Sequence, residues 1–169
     1  MNEMKQIQVG KVIVNIGEGQ VGQEVEKAAD LLRKLTGKEP VTTESKDAAK
    51  TFGKRGGLEI GAAVTLRGEE AEEFVRKVVP AAEDITEDNF DGNGNFSFGA
   101  DEYIDVPGTD YDSDIGMKGF EVAVVLERPG YRVRKRNHKP SNVGKDHEIS
   151  DEEAIEYAED QLGIEVTSE

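Results

Sequence analysis

Three segments of this chain alternate apolar residues with polar or small ones, the pattern of a β-strand that buries one face. They span residues 7–16, 58–66 and 118–127. In the first segment Val12, Val14 and Ile16 fall on one face of the strand, whereas Ile13 and Asn15 fall on the other. The last segment alternates most regularly. The sequence therefore predicts a sheet with one face turned to a core.

Three further segments have helical periodicity. The first carries an apolar stripe at spacings of four and three, made of Val21, Val25, Ala28, Leu32 and Leu35. Gly37 ends this helix, and the second helix, which has acids in its first turn, ends near Pro80. A capping box of Ser150 and Glu153 begins the third helix, which Gly163 closes.

Shorter strands are predicted for residues 40–44 and around Phe96 and Phe98. The connections between the strands are unlike one another, so regular βαβ units are not expected. We predict one α+β domain over residues 1–169, with a mostly antiparallel sheet of about five strands packed with three helices, a single layer of each. Two features should project from it, a loop over residues 45–57 and a basic extension over residues 128–147.

The chain is strongly acidic, with a formal charge of −15 from 36 acids against 21 lysines and arginines. The acids are spread along the chain, and concentrated salt relieves the repulsion of such a surface. This favours adaptation to a salty cytoplasm over a basic partner protein. The absence of cysteine excludes disulfides, thiolate zinc sites and a cysteine nucleophile. With no apolar run long enough to span a membrane, a soluble cytoplasmic protein is expected.

Against this background, residues 128–145, here called the basic tract, hold seven of the lysines and arginines and none of the acids. In an extended chain Arg132, Arg134 and Arg136 would share one face, and guanidinium groups suit phosphate oxygens. A polyanion, RNA in particular, is the favoured ligand; a solvated loop or hairpin is the alternative. In isolation the tract should be mobile. The two histidines, His138 and His147, should be solvated or face phosphate.

A glycine pattern after the first strand, Gly17, Gly19 and Gly22, fits the dinucleotide-binding fingerprint. Three features count against a nucleotide-binding enzyme. Glu18 would place a carboxylate where pyrophosphate sits, the next strand is short and polar, and no further βαβ units follow. Tight-turn glycines are the better account.

Residues 91–102 match part of a calcium-binding loop, with oxygen-bearing side chains at Asp91, Asn93, Asn95 and Glu102. Phe96 stands where that loop needs glycine, so turns formed by Asn and Gly are favoured instead. No catalytic constellation is found, because the carboxylates look solvated. We therefore predict no catalytic residue, no metal and no cofactor.

Five runs, in order, carry a resemblance to a known family. They are Val12-Ile-Val-Asn-Ile-Gly-Glu-Gly19, Leu35-Thr-Gly-Lys-Glu-Pro40, Ile60-Gly-Ala-Ala-Val-Thr-Leu-Arg-Gly-Glu69, Phe90-Asp-Gly-Asn-Gly-Asn-Phe-Ser-Phe-Gly99 and Tyr111-Asp112. Through essentially its whole length the chain resembles the family of the fifth protein of the large ribosomal subunit, which binds 5S rRNA. The run from Arg128 to Arg136 is similar to the archaeal and eukaryotic branch. Together with the acidity, it points to a salt-adapted archaeon.

The resemblance implies a structural protein of the central protuberance that anchors 5S rRNA in the large subunit. It also implies contacts with 23S rRNA, with P-site tRNA through the projecting loop, and with a small-subunit head protein. An acidic module that docks a basic partner is the alternative from another class. Neither a ribosomal protein nor such a module is expected to contact a membrane.

Residues are assigned to these contacts by the resemblance and by charge. Asn15 and Thr65 fall on the family's 5S rRNA contacts. The full predicted rRNA-binding set is Asn15, Gly17, Lys38, Thr65, Arg67, Arg132, Arg134 and Arg136. Lys38 stands where many members have glutamine, and Gln8 where many have a basic residue. The predicted tRNA contacts are Lys46, Lys50, Lys54 and Arg55.

Overall fold

The computed structural model describes residues 2–46 and 56–167. Its strands are β1 (Gln8–Gly17), β2 (Val41–Glu44), β3 (Glu59–Leu66), β4 (Ile85–Thr86), β5 (Asn95–Ala100), β6 (Phe120–Glu127) and β7 (Val166–Thr167). Its helices are α1 (Gln23–Thr36), α2 (Glu69–Val78), α3 (Arg132–Lys135) and α4 (Asp151–Tyr157). Helix α4 runs on into a π-helical turn, Ala158–Leu162.

Five strands form one sheet in the order β2-β3-β1-β6-β5, and every neighbouring pair is antiparallel. A second, two-stranded sheet pairs β4 with β7 in parallel. The predicted α+β class and five-stranded antiparallel sheet are confirmed. The small parallel pair has no signal in the sequence, because each of its strands is only two residues long.

One face of the sheet builds the core. Val12 and Val14 of β1 are fully buried, as are Val122 and Val124 of β6. Helices α1 and α2 cover this face, and the π-helical turn after α4 contacts α2. The alternation predicted for β1 is confirmed, since Ile13 and Asn15 lie on the opposite face, where they are half-buried.

Helix α1 begins later than its apolar stripe predicts. Val25, Ala28, Leu32 and Leu35 are buried as expected, but Val21 precedes the helix and is 60% exposed. Gly19 and Gly22 adopt positive φ angles of 64° and 114°, so the chain turns around Val21 before it enters the helix. The other end is as predicted, because Gly37 closes the helix in the left-handed conformation.

The basic tract is not an extended strand, the conformation in which its three arginines would share one face. Gly130 has a φ of 100° and turns the chain at the end of β6, after which Arg132–Lys135 forms a single helical turn. Two residues apart in a helix, Arg132 and Arg134 point about 200° apart, so the shared face of arginines does not exist. Tyr131 and Val143 join the core and hold the tract near both ends. The predicted mobility in isolation stays a prediction.

The projecting loop is predicted for residues 45–57, most of which lie outside the described residues. Its two ends meet, because the Ser45 amide donates to the Leu58 carbonyl at 2.8 Å and the Gly57 amide donates to the Ser45 carbonyl at 2.9 Å. The loop therefore leaves and re-enters the sheet between β2 and β3. Among the helices that the structure describes, none is long and apolar enough to cross a membrane.

Candidate nucleic-acid interface

The face of the sheet opposite α1 and α2 is open to solvent and is here called the open face. Strand register arranges its residues in rows that run across the strands. One row consists of Ala63, Asn15, Glu121 and Gly99, the next of Thr65, Ile13, Ala123 and Ser97, and a third of Lys11, Val125 and Asn95. Several of these residues are small, which leaves space for the backbone of a ligand to come close to the sheet.

Asn15 and Thr65, the two residues predicted to contact 5S rRNA, both lie on the open face. Thr65 pairs with Ile13, two positions from Asn15 on β1, so the two polar side chains are diagonal neighbours. Diagonal neighbours in a sheet are separated by about 7–8 Å. Among the described residues neither side chain has a hydrogen-bond partner, so the Asn15 amide and the Thr65 hydroxyl are available to a ligand.

A broad groove of about 870 Å³ runs along the open face beside Asn15. Its lining includes Ser97 of β5 and Asn89, whose side-chain amide donates to the Ser97 carbonyl at 2.8 Å. Together with Asn15, these groups offer a neutral polar surface. Such a surface suits the hydroxyl and base-edge groups of RNA.

The same groove is acidic at one corner. Glu121 lies directly across from Asn15, and a Cβ at Gly99 would be 3.9 Å from the carboxylate carbon of Glu83. The neighbouring Asp101 carboxyl raises the pKa of the Glu83 carboxyl, because it accepts a hydrogen bond from the protonated form and its negative charge disfavours ionisation. Three acids therefore lie around one corner of the open face.

Cations lie toward the opposite end of the strands. Lys11 is on the open face, two positions before Ile13, and Arg67 follows β3 directly, two positions beyond Thr65. Lys135 of the basic tract forms an ion pair with Glu127 at the end of β6, so the tract begins at this end of the sheet. The predicted residues Thr65 and Arg67 are thus brought together with the start of the basic tract.

The exposed arginines of the tract are the ones predicted to bind RNA. Arg132, Arg134 and Arg136 are all exposed, and the Arg136 Nε donates to the Lys139 carbonyl at 2.8 Å. Arg128 is different, with only 5% of its surface exposed. Its guanidinium donates to the carbonyls of Lys5, His147 and Glu148 and to the Glu153 carboxylate. This buried arginine joins parts of the fold that are distant in sequence.

His147 is not a solvated histidine, because its ring is half-buried. Its Nε2 lies 2.8 Å from the Pro129 carbonyl oxygen, and its ring packs edge-on against Tyr131 with 5.9 Å between ring centroids. The Tyr131 hydroxyl donates to the His147 carbonyl at 3.1 Å. His138 is exposed, as expected.

Of the remaining predicted contacts, Gly17 lies two positions from Asn15 and lines the same groove, whereas Lys38 lies apart from it. Lys38 follows α1 and forms an ion pair with Glu70 of α2, which ties its ammonium group to the helical layer. Gly17 ends β1 opposite Gly61, and Gln8 begins β1 opposite Glu127. Lys46 is exposed. The other predicted tRNA contacts, Lys50, Lys54 and Arg55, lie outside the described residues.

The glycine turn after β1 does not form a nucleotide site. The amides of Glu18 and Gly19 both donate to the Ile60 carbonyl, at 2.8 and 3.1 Å. The Glu18 carboxylate accepts from Lys118 Nζ at 2.5 Å, and Glu24 accepts from the same nitrogen at 2.8 Å. Both strands beside β1 are antiparallel to it, whereas dinucleotide folds require parallel neighbours.

Lys118 is charged in spite of its burial. Burial by itself lowers the pKa of Lys118, but the hydrogen bonds and negative charges of Glu18 and Glu24 outweigh it, so the pKa is raised. The hydrogen bond from Lys118 also lowers the pKa of Glu24. This ion triad joins the β1–α1 turn to the segment before β6 and so fixes one end of the groove.

The calcium-like segment is a turn, as favoured from the sequence. The Asp91 carboxylate accepts from the backbone amides of Asn93 and Asn95, at 2.9 and 3.0 Å, and from the Asn95 side chain at 2.7 Å. The Gly92 amide donates to Asp151 at 2.9 Å and so ties the turn to α4. Within residues 2–46 and 56–167, no cluster of His, Asp and Glu is arranged to hold a metal ion.

Sequence reasoning did not place Lys11, Glu83, Ser97 and Glu121 on the same surface as Asn15. The two-residue period of β1 was a usable signal for Lys11, because it shares a face with Ile13 and Asn15. The others depend on strand register, which single-strand patterns do not specify. The position of Glu83 depends further on a hydrogen bond from its amide to the Gly99 carbonyl, 3.0 Å long.

Comparison with known proteins shows which family the chain belongs to. Residues 2–55 match the family model of ribosomal protein L5, and residues 59–157 match the model of the C-terminal part of the same ribosomal family. The chain belongs to the ribosomal protein L5 family. This membership confirms the resemblance seen in the sequence and the prediction of a structural ribosomal protein that is not an enzyme.

Archaeal relatives match nearly the full length. The large ribosomal subunit protein uL5 of Sulfurisphaera tokodaii is 44% identical over 97% of this chain and 94% of its own. The uL5 of Nanoarchaeum equitans is 44% identical over 96% of this chain and 97% of its own. That of Methanococcus vannielii is 42% identical over 98% and 94%. The family therefore extends across the sheet, the helices and the basic tract.

Proposed function

We propose that this chain binds 5S rRNA through the open face of its sheet and attaches it to the large ribosomal subunit, in the central protuberance. The observation that carries the proposal is the placement of Asn15 and Thr65 as diagonal neighbours on a face that no described helix covers. Both offer unpaired hydrogen-bonding groups, among the described residues, at the positions the family resemblance assigns to 5S rRNA.

Small residues around this pair support a close approach by RNA. Ala63 faces Asn15 across β3, and Ala123 faces Ile13 across β6. Hydrogen bonds to sugar edges and phosphates act at short range and do not depend on long-range attraction. At molar salt the Debye length falls to about 3 Å, so such contacts persist where charge steering is lost. An acidic chain in a halophilic archaeon would bind RNA in this way.

The basic tract would dock on rRNA, including 23S rRNA, through phosphates. Arg132, Arg134 and Arg136 are exposed, and they extend from the end of the sheet that also bears Lys11 and Arg67. Their contacts would add affinity with little sequence preference, because phosphates carry no base identity.

The projecting loop would meet P-site tRNA, and a neighbouring surface would meet a small-subunit head protein. The resemblance assigns the tRNA contact to the loop over residues 46–57, and its positive charge points to Lys46, Lys50, Lys54 and Arg55 within it. Replacing Lys54 and Arg55 with Gln should loosen tRNA retention on assembled ribosomes and leave 5S rRNA binding nearly unchanged. A collapse of 5S rRNA binding in that variant would instead make the loop part of the anchoring surface.

The proposed function is tested most simply by RNA specificity. The purified chain should bind 5S rRNA in concentrated potassium chloride and should not bind an unrelated structured RNA of the same length. Equal binding to both RNAs, or to neither, would contradict a 5S-specific role and leave only non-specific or protein-mediated attachment.

A further inference from the structure

The open face carries charges of opposite sign at its two ends. We propose that Glu83, Asp101 and Glu121 set the position of RNA on this face by excluding phosphates from the corner around Gly99, so that the bound backbone lies toward Lys11 and the basic tract. The proposal rests on the proposed function, because it specifies how RNA is positioned on the same surface.

The acidic corner belongs to the groove that would hold the RNA. Glu121 lies directly across from Asn15 in the sheet and is exposed. Glu83 extends over Gly99, as shown by the 3.9 Å separation between its carboxylate carbon and a Cβ built there. Asp101 follows β5 directly and is exposed. All three line the groove that Asn15 and Ser97 also line.

These carboxylates are not neutralised by lysine or arginine. Among the described residues none of the three forms an ion pair with a cation, whereas Glu18 in the same groove is bound to Lys118. Asp101, the neighbour that raises the pKa of the Glu83 carboxyl, is itself an acid and brings no positive charge. A phosphate placed here would meet negative charges at close range. Their repulsion disfavours any binding position that puts the RNA backbone in this corner.

At the other end of the strands the field has the opposite sign. Lys11 and Arg67 lie just beyond the row that contains Thr65 and Ile13, on the side away from Asn15, and Lys135 pairs with the carboxylate of Glu127. Arg132 and Arg134 lie just beyond. One ligand spanning the face would therefore have its phosphates at the cationic end and its uncharged sugar or base groups at Asn15 and Ser97.

This division also explains why the face keeps acids next to a predicted RNA contact. Acids elsewhere on the surface keep the chain soluble in salt. Within the groove they act on the ligand instead, since repulsion of a wrongly placed backbone improves discrimination between binding positions without any new attractive contact.

The test compares two triple variants of the full chain that lose the same charge. One is Glu83→Gln, Asp101→Asn and Glu121→Gln; the control, on the helical layer, is Glu26→Gln, Glu73→Gln and Asp160→Asn. All six residues are exposed. Circular dichroism and thermal unfolding should show that both variants fold. Binding to 5S rRNA is then measured across a series of salt concentrations.

The open-face variant should bind 5S rRNA at least about fivefold more tightly than the control at moderate salt, since phosphates gain access to the corner. Its log–log salt dependence should steepen by about 0.7–0.9 for each added phosphate contact. Hydroxyl-radical footprinting should show additional protected backbone positions.

Equal affinity and slope in the two variants would overturn the proposal, since the acids would then act only through net charge. Weaker binding by the open-face variant would also overturn it, because the carboxylates would then be acceptors for RNA hydroxyl or amino groups. If the unmodified chain does not bind 5S rRNA, the proposed function itself fails and the positioning role fails with it.

Discussion

Arg128 donates a hydrogen bond from Nη2 to the Glu153 Oε1 over 2.6 Å and thereby joins the end of β6 to α4. The same guanidinium holds the N-terminal segment through the Lys5 carbonyl, at 3.0 Å. One side chain of the basic tract thus connects three parts of the chain that are distant in sequence, while the other arginines of the tract remain exposed.

Replacing Arg128 with Met should lower the free energy of unfolding by about 3 kcal/mol, because three backbone carbonyls and the Glu153 carboxylate lose the charged donor of a buried side chain. The matched change Arg134→Met at an exposed position should stay within about 0.5 kcal/mol of the unmodified chain. Urea unfolding followed by circular dichroism measures both. Similar stabilities for the two variants would show that Arg128 has no structural role beyond its charge.

Gly94 is required by a close approach to Ile149. A Cβ at Gly94 would lie 2.8 Å from the Ile149 Cβ, and Gly94 has a φ of 81°. Gly94→Ala should therefore cost about 1–3 kcal/mol for the clash in addition to backbone strain.

Substitution of Gly92 measures the backbone strain without the steric clash. It has a similar φ of 77°, and an added Cβ would be no closer than 3.9 Å to Asp151. Gly92→Ala should cost only about 1–2 kcal/mol, the strain of the left-handed conformation. Equal losses of thermal stability in the two alanine variants would show that contact with Ile149 contributes nothing.

The turn at Asp91 should lose stability in acid. Burial raises the pKa of Asp91, but hydrogen bonds from the Asn95 side chain and from the amides of Asn93 and Asn95 outweigh it and hold the pKa below its ordinary value of 3.8. An acid with a depressed pKa stabilises the fold above its unfolded pKa, and this contribution is lost as pH falls through the folded value.

Asp91→Asn removes that dependence. The variant should be less stable than the unmodified chain at neutral pH, and the difference should shrink as pH drops below 3.8. Unfolding at fixed high salt, which screens the acidic surface, measures the difference at each pH. A difference that stays constant across the range would mean that the ionised carboxylate is not what stabilises the turn.

The exposed arginines should contribute salt-dependent affinity. Replacing Arg132, Arg134 and Arg136 with Gln should weaken binding to all rRNA sites alike and reduce the log–log salt slope by about 0.9 per lost phosphate contact. Lys77→Gln, at an exposed position on α2, is the single-charge control and should leave the slope unchanged. An unaltered slope in the triple variant would make the tract a solvated surface.

Sequence patterns within a few residues predicted the elements that depend on interactions between neighbouring residues. The alternation of β1 placed Asn15 and Ile13 on the face opposite Val12 and Val14, and the capping box placed the start of α4. In α4 the Ser150 hydroxyl and the Glu153 carboxylate satisfy each other's backbone amides, so the signal lies within four residues.

Features that depend on distant partners were not predictable in this way. In the sequence Arg128 is one more cation of the basic tract. In the structure its guanidinium donates to the backbone carbonyls of Lys5, His147 and Glu148. The acidic corner likewise needs the pairing of β5 with β6, which sets Gly99 opposite Glu121. Such contacts follow from register and tertiary packing rather than from sequence periodicity.

The most direct test of the account is the affinity for 5S rRNA of the double variant Asn15→Ala and Thr65→Ala, measured in concentrated salt. The control is Gln23→Ala with Ser113→Ala, two exposed polar residues away from the open face. Each open-face change should weaken binding by about 1–3 kcal/mol while circular dichroism shows an intact fold. Unchanged affinity in the double variant, with the control also unchanged, would contradict the assignment of the open face as the 5S rRNA-binding surface.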